Sequence, residues 1–242
     1  MSGLRNLGNT CFINAVLQCL SNLPELNRWL DDYEGNNTII KEYNDLRRLM
    51  QEEGSIIPNR FIHFVFNSAP FKPHEQHDAA EFLLFMMDTF QCPLFTGKQT
   101  SILGNTNMEE QFLSIDVPVV GNTLEECISA YLSEEEVVWN DNLVKKQYEI
   151  SEHPPILCIV LKRFNNDNVK NQSFIDVPLQ WREYDLVSIC NHYGNSHHGH
   201  YTSTIYKGGW YEINDEIIMK RESPITNNAY CLLFRKKTAQ IL

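Results

Sequence analysis

The sequence of 242 residues lacks any pair of cysteines spaced C-x-x-C, although seven cysteines are scattered along it. Structural zinc sites use closely spaced pairs of that kind, so the spacing predicts no metal site, and no motif predicts a cofactor. The odd number of cysteines and the absence of an apolar secretory leader argue against a disulfide scaffold. We therefore expect free thiols and an intracellular protein of the cytoplasm, with the nucleus as an alternative.

Basic residues and long apolar runs are also scarce. The chain has 20 Lys and Arg against 31 Asp and Glu, which gives a formal net charge of -11 at pH 7. Nucleic acid and anionic lipid require clustered basic residues, so the charge argues against both as partners and favours a basic one. An equally good interpretation is that the charge only maintains solubility. No apolar run approaches the ~20 residues that span a bilayer, so no membrane contact is expected.

The 43% of hydrophobic residues predicts a sizeable core, and the length fits one domain, 1–242, with two lobes. Apolar residues at helical spacing predict helices at 11–30 with a break at Pro24, and at 39–50, 61–66, 78–86 and 124–132. Alternating or continuous apolar runs predict strands at 113–117, 156–164, 184–189, 200–206, 210–213 and 230–234. Polar stretches predict loops at 96–110 and 165–173. Helices followed by sheet indicate an α+β fold.

Cys11 differs from the other cysteines because it begins one of the predicted helices. The segment GLRNLGNTCFINAVLQCL at 3–20 carries it from a turn rich in Gly and Asn onto a first helical turn. Unpaired N–H groups and the helix dipole favour a thiolate there, and they can receive the oxyanion that forms when a thiolate attacks a carbonyl. A lone cysteine at a helix start is more often inert, so this prediction depends on other residues.

Two polar residues far along the chain supply the missing partners. His200 opens a predicted strand and Asn214 closes the next one, so the order along the chain is Cys, His, Asn. That is the order of papain-like sites, in which histidine takes the thiol proton and a third polar side chain fixes the imidazole. Either residue alone is a weak signal, whereas the combination with Cys11 predicts a cysteine-dependent hydrolase.

The hairpin between these strands constrains the predicted pair. A two-residue turn at Gly208 and Gly209 would leave His200 ~10 Å from the residue opposite Asn214. For the two to lie opposite each other, the turn must be centred on Lys207. We therefore predict a loop of odd length, 206–208 or 205–209, or a bulge, with Asn214 in hydrogen-bonding reach of His200. A regular ladder without the odd loop would give the orienting role to Asp215.

Four segments together resemble the ubiquitin-specific protease family of deubiquitinases. They are the cysteine segment 3–20, EQHDAAEFLLFMMD at 75–88, ILCIVLKRF at 156–164 and GHYTSTIYKGGWYEINDE at 199–216. The resemblance covers nearly the whole chain. It implies a papain-like fold with a helical thumb at 1–95, and with fingers and an antiparallel-sheet palm at 96–242.

The resemblance also implies roles for single residues at the reaction centre. Cys11 is the expected nucleophile, His200 the general base and acid, and Asn214 the group that orients the imidazole. Asn6 matches the family's oxyanion-hole position, where its amide would act with the backbone N–H of Cys11. Asp215 matches a position that is also implicated in catalysis, so it is expected to share the orienting role or to take it over.

Other residues match positions along the family's channel for the ubiquitin tail, which ends Leu-Arg-Gly-Gly. Asp78 and Glu81 are expected to pair with the tail arginine, although both are also spaced to cap their own helix. Tyr201 suits a channel that passes two glycines, or it is a plain aromatic of the sheet. His192 matches a position on a loop that borders the channel.

The chain departs from the family pattern in its fingers, because the two C-x-x-C pairs that hold zinc are absent and the interval from Phe95 to Tyr148 is short. Shortened, zinc-free fingers and weak affinity for a single ubiquitin are therefore expected. The expected activity is thiol-dependent hydrolysis after the terminal Gly of ubiquitin through a thioester, with ubiquitin and ubiquitinated proteins as partners. Alternatives are a weak or dead ubiquitin-binding adaptor, or a protease for another ubiquitin-like modifier, and the need for an activating partner stays open.

Overall fold

A computed structural model of the chain describes residues 1–165, 167, 169–195 and 198–237. Helices precede most of the strands, which confirms the α+β prediction. The helices are α1 Cys11–Ser21, α2 Pro24–Asp31, α3 Thr38–Leu49, α4 Asn59–Ser68, α5 Ala79–Phe90 and α6 Leu124–Leu132. The strands are β1 Ser2–Leu4, β2 Gly54–Ile56, β3 Gly97–Leu103, β4 Thr106–Phe112, β5 Ser114–Pro118, β6 Glu135–Trp139, β7 Asn142–Glu152, β8 Ile156–Lys162, β9 Gln180–Trp181, β10 Tyr184–Gly194, β11 Gly199–Tyr206, β12 Trp210–Asn214, β13 Ile217–Arg221 and β14 Ala229–Lys236.

The large sheet has the strand order β13-β12-β11-β10-β14-β8-β5, with the short β9 added beside β10. Every described pairing in it is antiparallel except that of β5 with β8. Strand β8 is apolar from Ile156 to Leu161 because both of its faces are buried. Ile156, Cys158 and Val160 belong to the core that contains α1 to α5, whereas Leu157 and Ile159 belong to a second core with α6. A strand covered on both faces has no solvent side on which to place polar residues.

Helix α1 lies at the centre of the first core, since ten of its eleven residues are buried. It packs against β11 and β10 of the large sheet and against α5. Pro24 occupies the first turn of α2, where its missing N–H costs no hydrogen bond. Asp78 caps α5 by accepting hydrogen bonds from the amides of Ala80 and Glu81. The packing of α1 on β11 places the cysteine helix directly against the strand that carries His200.

A separate four-stranded sheet corrects the prediction of a loop at 96–110. Strands β3 and β4 form a hairpin there, and they continue into a sheet of order β4-β3-β7-β6. Most residues of β4 are exposed, so polar side chains occur at nearly every position. The apolar alternation from which a strand is predicted is then missing.

The predicted loop at 165–173 agrees with the structure in its described part, which contains one isolated bridge between Phe164 and Lys170. Asn166 and Asn168 of that stretch lie outside the described residues. None of the described helices is long and apolar enough to cross a membrane.

Candidate active site

Cys11 is the first residue of α1, as predicted, and its side chain is buried with 5% exposure. The preceding residue, Thr10, makes no side-chain hydrogen bond to the first turn of the helix. Its hydroxyl instead accepts a hydrogen bond from the Leu7 amide at 2.9 Å. The first-turn amides of α1 are therefore not capped by this side chain. Such amides stabilise the negative charge of a thiolate, or of the oxyanion that forms when a carbonyl is attacked.

His200 joins the cysteine to Asn214. Its Nε2 lies 2.7 Å from Oδ1 of Asn214, and because this oxygen only accepts, Nε2 carries the hydrogen. Nδ1 then remains for the thiol. The pKa of His200 is raised to about 9, and the main cause is its interaction with the side chain of Cys11. Burial lowers the pKa, whereas the hydrogen bond with Asn214 raises it further. The imidazole is therefore held in its protonated form by the sulfur on one side and the amide oxygen on the other.

The hairpin between β11 and β12 has an odd loop, as predicted, but the loop is placed one residue later. Tyr206 pairs with Trp210, so the loop is 207–209, centred on Gly208, whose φ of 67° is left-handed. In this register Thr202 faces Asn214, so the prediction that His200 would lie directly opposite Asn214 is wrong. His200 is two residues further along, a diagonal neighbour on the same face, and such neighbours are within reach of long side chains.

Asp215 accepts hydrogen bonds from two asparagine side chains. Nδ2 of Asn6 lies 3.0 Å from Oδ2, and Nδ2 of Asn14 lies 2.8 Å from Oδ1. Nε2 of His200 is 4.0 Å from Oδ2, too far for a hydrogen bond. Asp215 has a φ of 50° in the turn between β12 and β13, a conformation that aspartate tolerates better than most residues. The geometry therefore favours Asn214 as the group that orients the imidazole and gives Asp215 a different set of contacts.

The amide of Asn6 has a fixed orientation. Its Oδ1 accepts from the backbone amides of Gly8 and Thr10 at 3.1 Å each, while Nδ2 faces Asp215. A carboxamide nitrogen carries two hydrogens, and only one is used by Asp215. The second hydrogen is the one that would form a hydrogen bond to an oxyanion generated at Cys11. The structure thus gives Asn6 an orientation that the sequence did not reveal, and its role toward an oxyanion stays a prediction.

Asn14 is a member of this network that sequence reasoning missed. It lies one helical turn after Cys11, is 2% exposed, and also donates to the carbonyl of Leu4 at 3.1 Å. The sequence signal was a polar residue inside the apolar stripe of α1, which is unusual because a buried amide needs partners. Asn14 ties the N-terminal segment to the turn that holds Asp215.

A cavity lies between the start of α5 and the neighbouring ends of β10 and β11. Tyr201 and Tyr230 form part of its wall together with His192, and Gln76 and Gly199 also line it. The hydroxyl of Tyr230 donates to Oδ2 of Asp78 at 2.7 Å, which joins the helix start to the sheet. Tyr201 therefore lines a cavity that Gly199, the residue before His200, also lines, and its contact with a ubiquitin tail stays a prediction.

His192 lies within β10 rather than on a loop, which corrects the expected position. It pairs directly with Tyr201, and the two ring centroids are 4.8 Å apart. Burial, and then the nearby charges of Lys170 and Arg163, lower the pKa of His192 to about 4. The imidazole is therefore neutral at pH 7 and serves as part of the aromatic wall of the cavity.

The two predicted carboxylates differ in their surroundings. Asp78 uses Oδ1 to accept from two amides of α5 and Oδ2 to accept from Tyr230, so Oδ2 is the oxygen that retains capacity for a further hydrogen bond. Glu81 is exposed and lines a neighbouring surface pocket with Asp78 and Lys162. Capping by Asp78 is thus observed, and pairing of either carboxylate with an arginine stays a prediction.

No group of three or more His, Cys, Asp or Glu side chains that could hold a metal occurs among the residues the structure describes. Of the three clustered histidines His197, His198 and His200, the last two belong to the described part of the chain, whereas His197 lies outside it. All seven cysteines are free and buried.

Comparison with known proteins gives the family that the four sequence segments resemble. The family model described as ubiquitin carboxyl-terminal hydrolase matches residues 2–234. Human ubiquitin carboxyl-terminal hydrolase 2 is 25% identical over 97% of this chain and 55% of its own length. Human ubiquitin carboxyl-terminal hydrolase 42 is 25% identical over 96% of this chain and 23% of its own length.

A probable ubiquitin carboxyl-terminal hydrolase 8 from Schizosaccharomyces pombe is 22% identical over 97% of this chain and 64% of its own length. The chain thus spans about half the length of the first curated relatives it matches. The alignment with the human hydrolase 2 extends over 332 positions, so that relative carries insertions that this chain lacks. The match over nearly all of its residues shows that the chain belongs to the ubiquitin carboxyl-terminal hydrolase family, of the ubiquitin-specific protease kind, whose members are cysteine-type peptidases.

Proposed function

We propose that the protein is a deubiquitinase that hydrolyses isopeptide or peptide bonds after the C-terminal glycine of ubiquitin. The observation that carries the proposal is the hydrogen bond that holds Nε2 of His200 2.7 Å from Oδ1 of Asn214, in an imidazole whose pKa is raised mainly by Cys11. A thiol, a base and an orienting amide in contact are the parts that nucleophilic catalysis by cysteine requires. The family membership of the chain supplies the substrate class.

The first half of the proposed reaction forms a thioester. The Cys11 sulfur attacks the carbonyl carbon of the terminal glycine, and the resulting oxyanion accepts hydrogen bonds from the second N–H of the Asn6 side chain and from backbone amides at the start of α1. The imidazolium of His200 then gives its proton to the departing amine, and the carbon–nitrogen bond breaks. Asn214 keeps the ring in the orientation that this transfer needs.

The second half consumes one water molecule. His200, now neutral, takes a proton from the water as its oxygen attacks the thioester carbonyl, and the same donors receive the second oxyanion. The bond between carbon and sulfur breaks, and the thiolate and imidazolium return. The raised pKa of His200, about 9, fits this cycle because the imidazole then keeps its proton at pH 7 until an amine leaves.

The four-stranded sheet supports the proposal of short, zinc-free fingers. Its strands lie within 97–112 and 135–152, and neither stretch contains a cysteine. The insertions in the human relative also fit a reduced member of the family. If the fingers hold no metal, incubation with a chelator should leave the melting temperature and the rate of ubiquitin cleavage unchanged. Stoichiometric zinc in the purified protein, lost on chelation together with activity, would contradict this.

We also propose ubiquitin and ubiquitinated proteins as partners and a reducing compartment, cytoplasmic or nuclear, as the setting. The seven free thiols support the compartment, since disulfides form in oxidising ones.

The test of the function is a panel of ubiquitin and ubiquitin-like modifiers that each carry a C-terminal electrophile. The proposal predicts a covalent adduct with ubiquitin and none with the Cys11→Ala variant. An adduct only with another modifier would favour a protease for that modifier. Binding of ubiquitin without any adduct would favour a catalytically dead adaptor.

A further inference from the structure

The loop that precedes α5, residues 72–78, contacts both sides of the candidate active site. On the cysteine side, Nδ2 of Asn9 donates to the carbonyl of His74 at 2.6 Å. The ring of His77 packs on Phe12, the residue after Cys11, with the centroids 5.3 Å apart. This bridging loop is therefore fixed to the start of the helix that carries the nucleophile.

On the histidine side, the same loop is joined to the sheet through Gln76. Its Nε2 donates to the carbonyl of Gly199, and its Oε1 accepts from the amide of Gly199, at 3.3 Å each. Gly199 is the first residue of β11, directly before His200. Both polar groups of one carboxamide thus contact both backbone groups of one residue.

Strand geometry explains why Gly199 has both groups free for a side chain. In an antiparallel sheet, the N–H and C=O of one residue point to the same side, and the side alternates along the strand. The described pairing of β11 with β12 covers Ser203 to Tyr206 and ends before Gly199. Gly199 pairs with Gly194 of β10 on its other side. The carboxamide of Gln76 therefore occupies the place that a further peptide group of β12 would take.

Gly199 itself has no room for a side chain, which fixes its position further. A Cβ atom on Gly199 would lie 2.2 Å from Nε2 of His192, inside van der Waals contact. The start of the histidine strand is therefore bounded by the buried ring of His192 on one side and by the exposed side chain of Gln76 on another.

We propose that Gln76 is a positioning residue, which acts through the backbone of Gly199 to hold His200 at the distance from α1 that contact with Cys11 requires. The inference rests on the proposed cysteine-protease function. Gln76 performs no chemistry in this account. It couples the element of the nucleophile to the element of the base through two hydrogen bonds.

The variants for the test are Gln76→Met, which removes both hydrogen bonds at similar length, and Gln76→Glu. The matched control is Glu75→Met on the same loop, since the ion pair of Glu75 is with Lys72 of that loop at 3.7 Å. With ubiquitin bearing a C-terminal fluorophore, Gln76→Met should lower kcat by about tenfold and change KM less than about twofold, the effect of losing two neutral hydrogen bonds. The control should match the unmodified protein.

The Gln76→Glu variant supplies a rescue that a merely structural residue would not show. An ionised carboxylate accepts from the Gly199 amide but repels the Gly199 carbonyl, whereas a protonated carboxyl has the same donor and acceptor as glutamine. Its activity relative to the unmodified protein should therefore rise as pH falls from 7 toward the carboxyl pKa of ~4.3.

A second readout needs no ubiquitin, and so separates this inference from the proposed substrate. Alkylation of Cys11 by iodoacetamide is followed against pH. The groups that interact with the imidazole of His200 are Cys11, Asn214 and Asp215, together with His192 on the adjacent strand. Gln76→Met should shift the pH profile of alkylation, and Glu75→Met should not. An unchanged profile together with unchanged kcat overturns the proposal. A rise in kcat/KM would mean that the bridge obstructs the cavity, and a loss confined to KM would mean direct contact with the substrate; either result also overturns it.

Discussion

The candidate active site and the four-stranded sheet are opposite kinds of structure. At the active site, buried and half-buried side chains hold one another through hydrogen bonds, as where the carboxylate of Asp215 accepts from Asn6 and from the buried Asn14. In the sheet, the strands are held by ladder bonds and exposed ion pairs, such as Lys98 with Glu152 at 2.7 Å. Removing one partner of a buried group leaves the other unsatisfied, whereas exposed ion pairs contribute little. Substitutions should therefore abolish chemistry in the first region and leave it intact in the second.

The largest effect is expected at the nucleophile. Cys11→Ala should lower turnover of a ubiquitin substrate by about 10⁶, because the sulfur that forms the thioester is gone. Binding of ubiquitin should remain. The control is Cys92→Ala, another buried cysteine that lies beyond the end of α5. Labelling of the Cys11→Ala protein by a ubiquitin electrophile would show that a different thiol is the nucleophile.

The next effect concerns the oxyanion. Asn6→Ala should lower kcat by about 10²–10³, the usual consequence of losing one donor to an oxyanion, with a smaller change in KM. The control is Asn36→Ala, since Asn36 is exposed on the loop before α3 and its side chain contacts Lys41 instead. Equal kcat values for the two variants would remove Asn6 from the reaction and leave it only a structural role.

The active site, unlike the four-stranded sheet, should make both the melting temperature and kcat depend on the protonation of one histidine, His200. The pKa of His200 is raised from 6.5 to about 9, mainly by Cys11, so its stabilising contribution is complete below pH 6.5 and is lost as pH rises through 9. The melting temperature should therefore fall more steeply between pH 6.5 and 9 in the unmodified protein than in His200→Ala. The alkaline limb of kcat should lie near pH 9, and Asn214→Ala should move it to lower pH. Equal slopes of melting temperature against pH in the unmodified protein and in His200→Ala would contradict the interaction of His200 with Cys11.

The smallest effect is expected in the four-stranded sheet. Lys98→Ala removes an exposed ion pair and should change the free energy of unfolding by less than ~1 kcal/mol, with kcat unchanged. Urea unfolding and fluorophore release measure the two quantities. A loss of kcat similar to that of Asn6→Ala would show that the two regions are coupled after all.

The same contrast explains which features were predictable from the sequence. Buried elements carry strong patterns, so the helix that begins at Cys11 and the strand at 156–162 were predicted closely. Most of the hairpin at 97–112 was predicted as a loop at 96–110, because β4 is mostly exposed and β3 has polar residues from Lys98 to Ser101, so neither strand shows apolar alternation.

At the site, residue types and chain order predicted Cys11, His200 and Asn214, but they did not predict contacts made through space. Asn14 and Gln76 were missed because their partners, Asp215 and Gly199, lie far away along the chain. The odd loop of the hairpin was predicted correctly, and its centre differed by one residue because diagonal neighbours also meet.

The central claim is that the Cys11 and His200 pair cleaves the bond after the last glycine of ubiquitin. The most direct measurement is release of a fluorophore from the C-terminus of ubiquitin by the purified chain, with single-turnover trapping of the intermediate in acid. We predict a thioester between ubiquitin and the peptide that contains Cys11, absent from Cys11→Ala and accumulating in proportion to released fluorophore. Release of fluorophore without any adduct on that peptide, or with an adduct on another cysteine, would contradict the account.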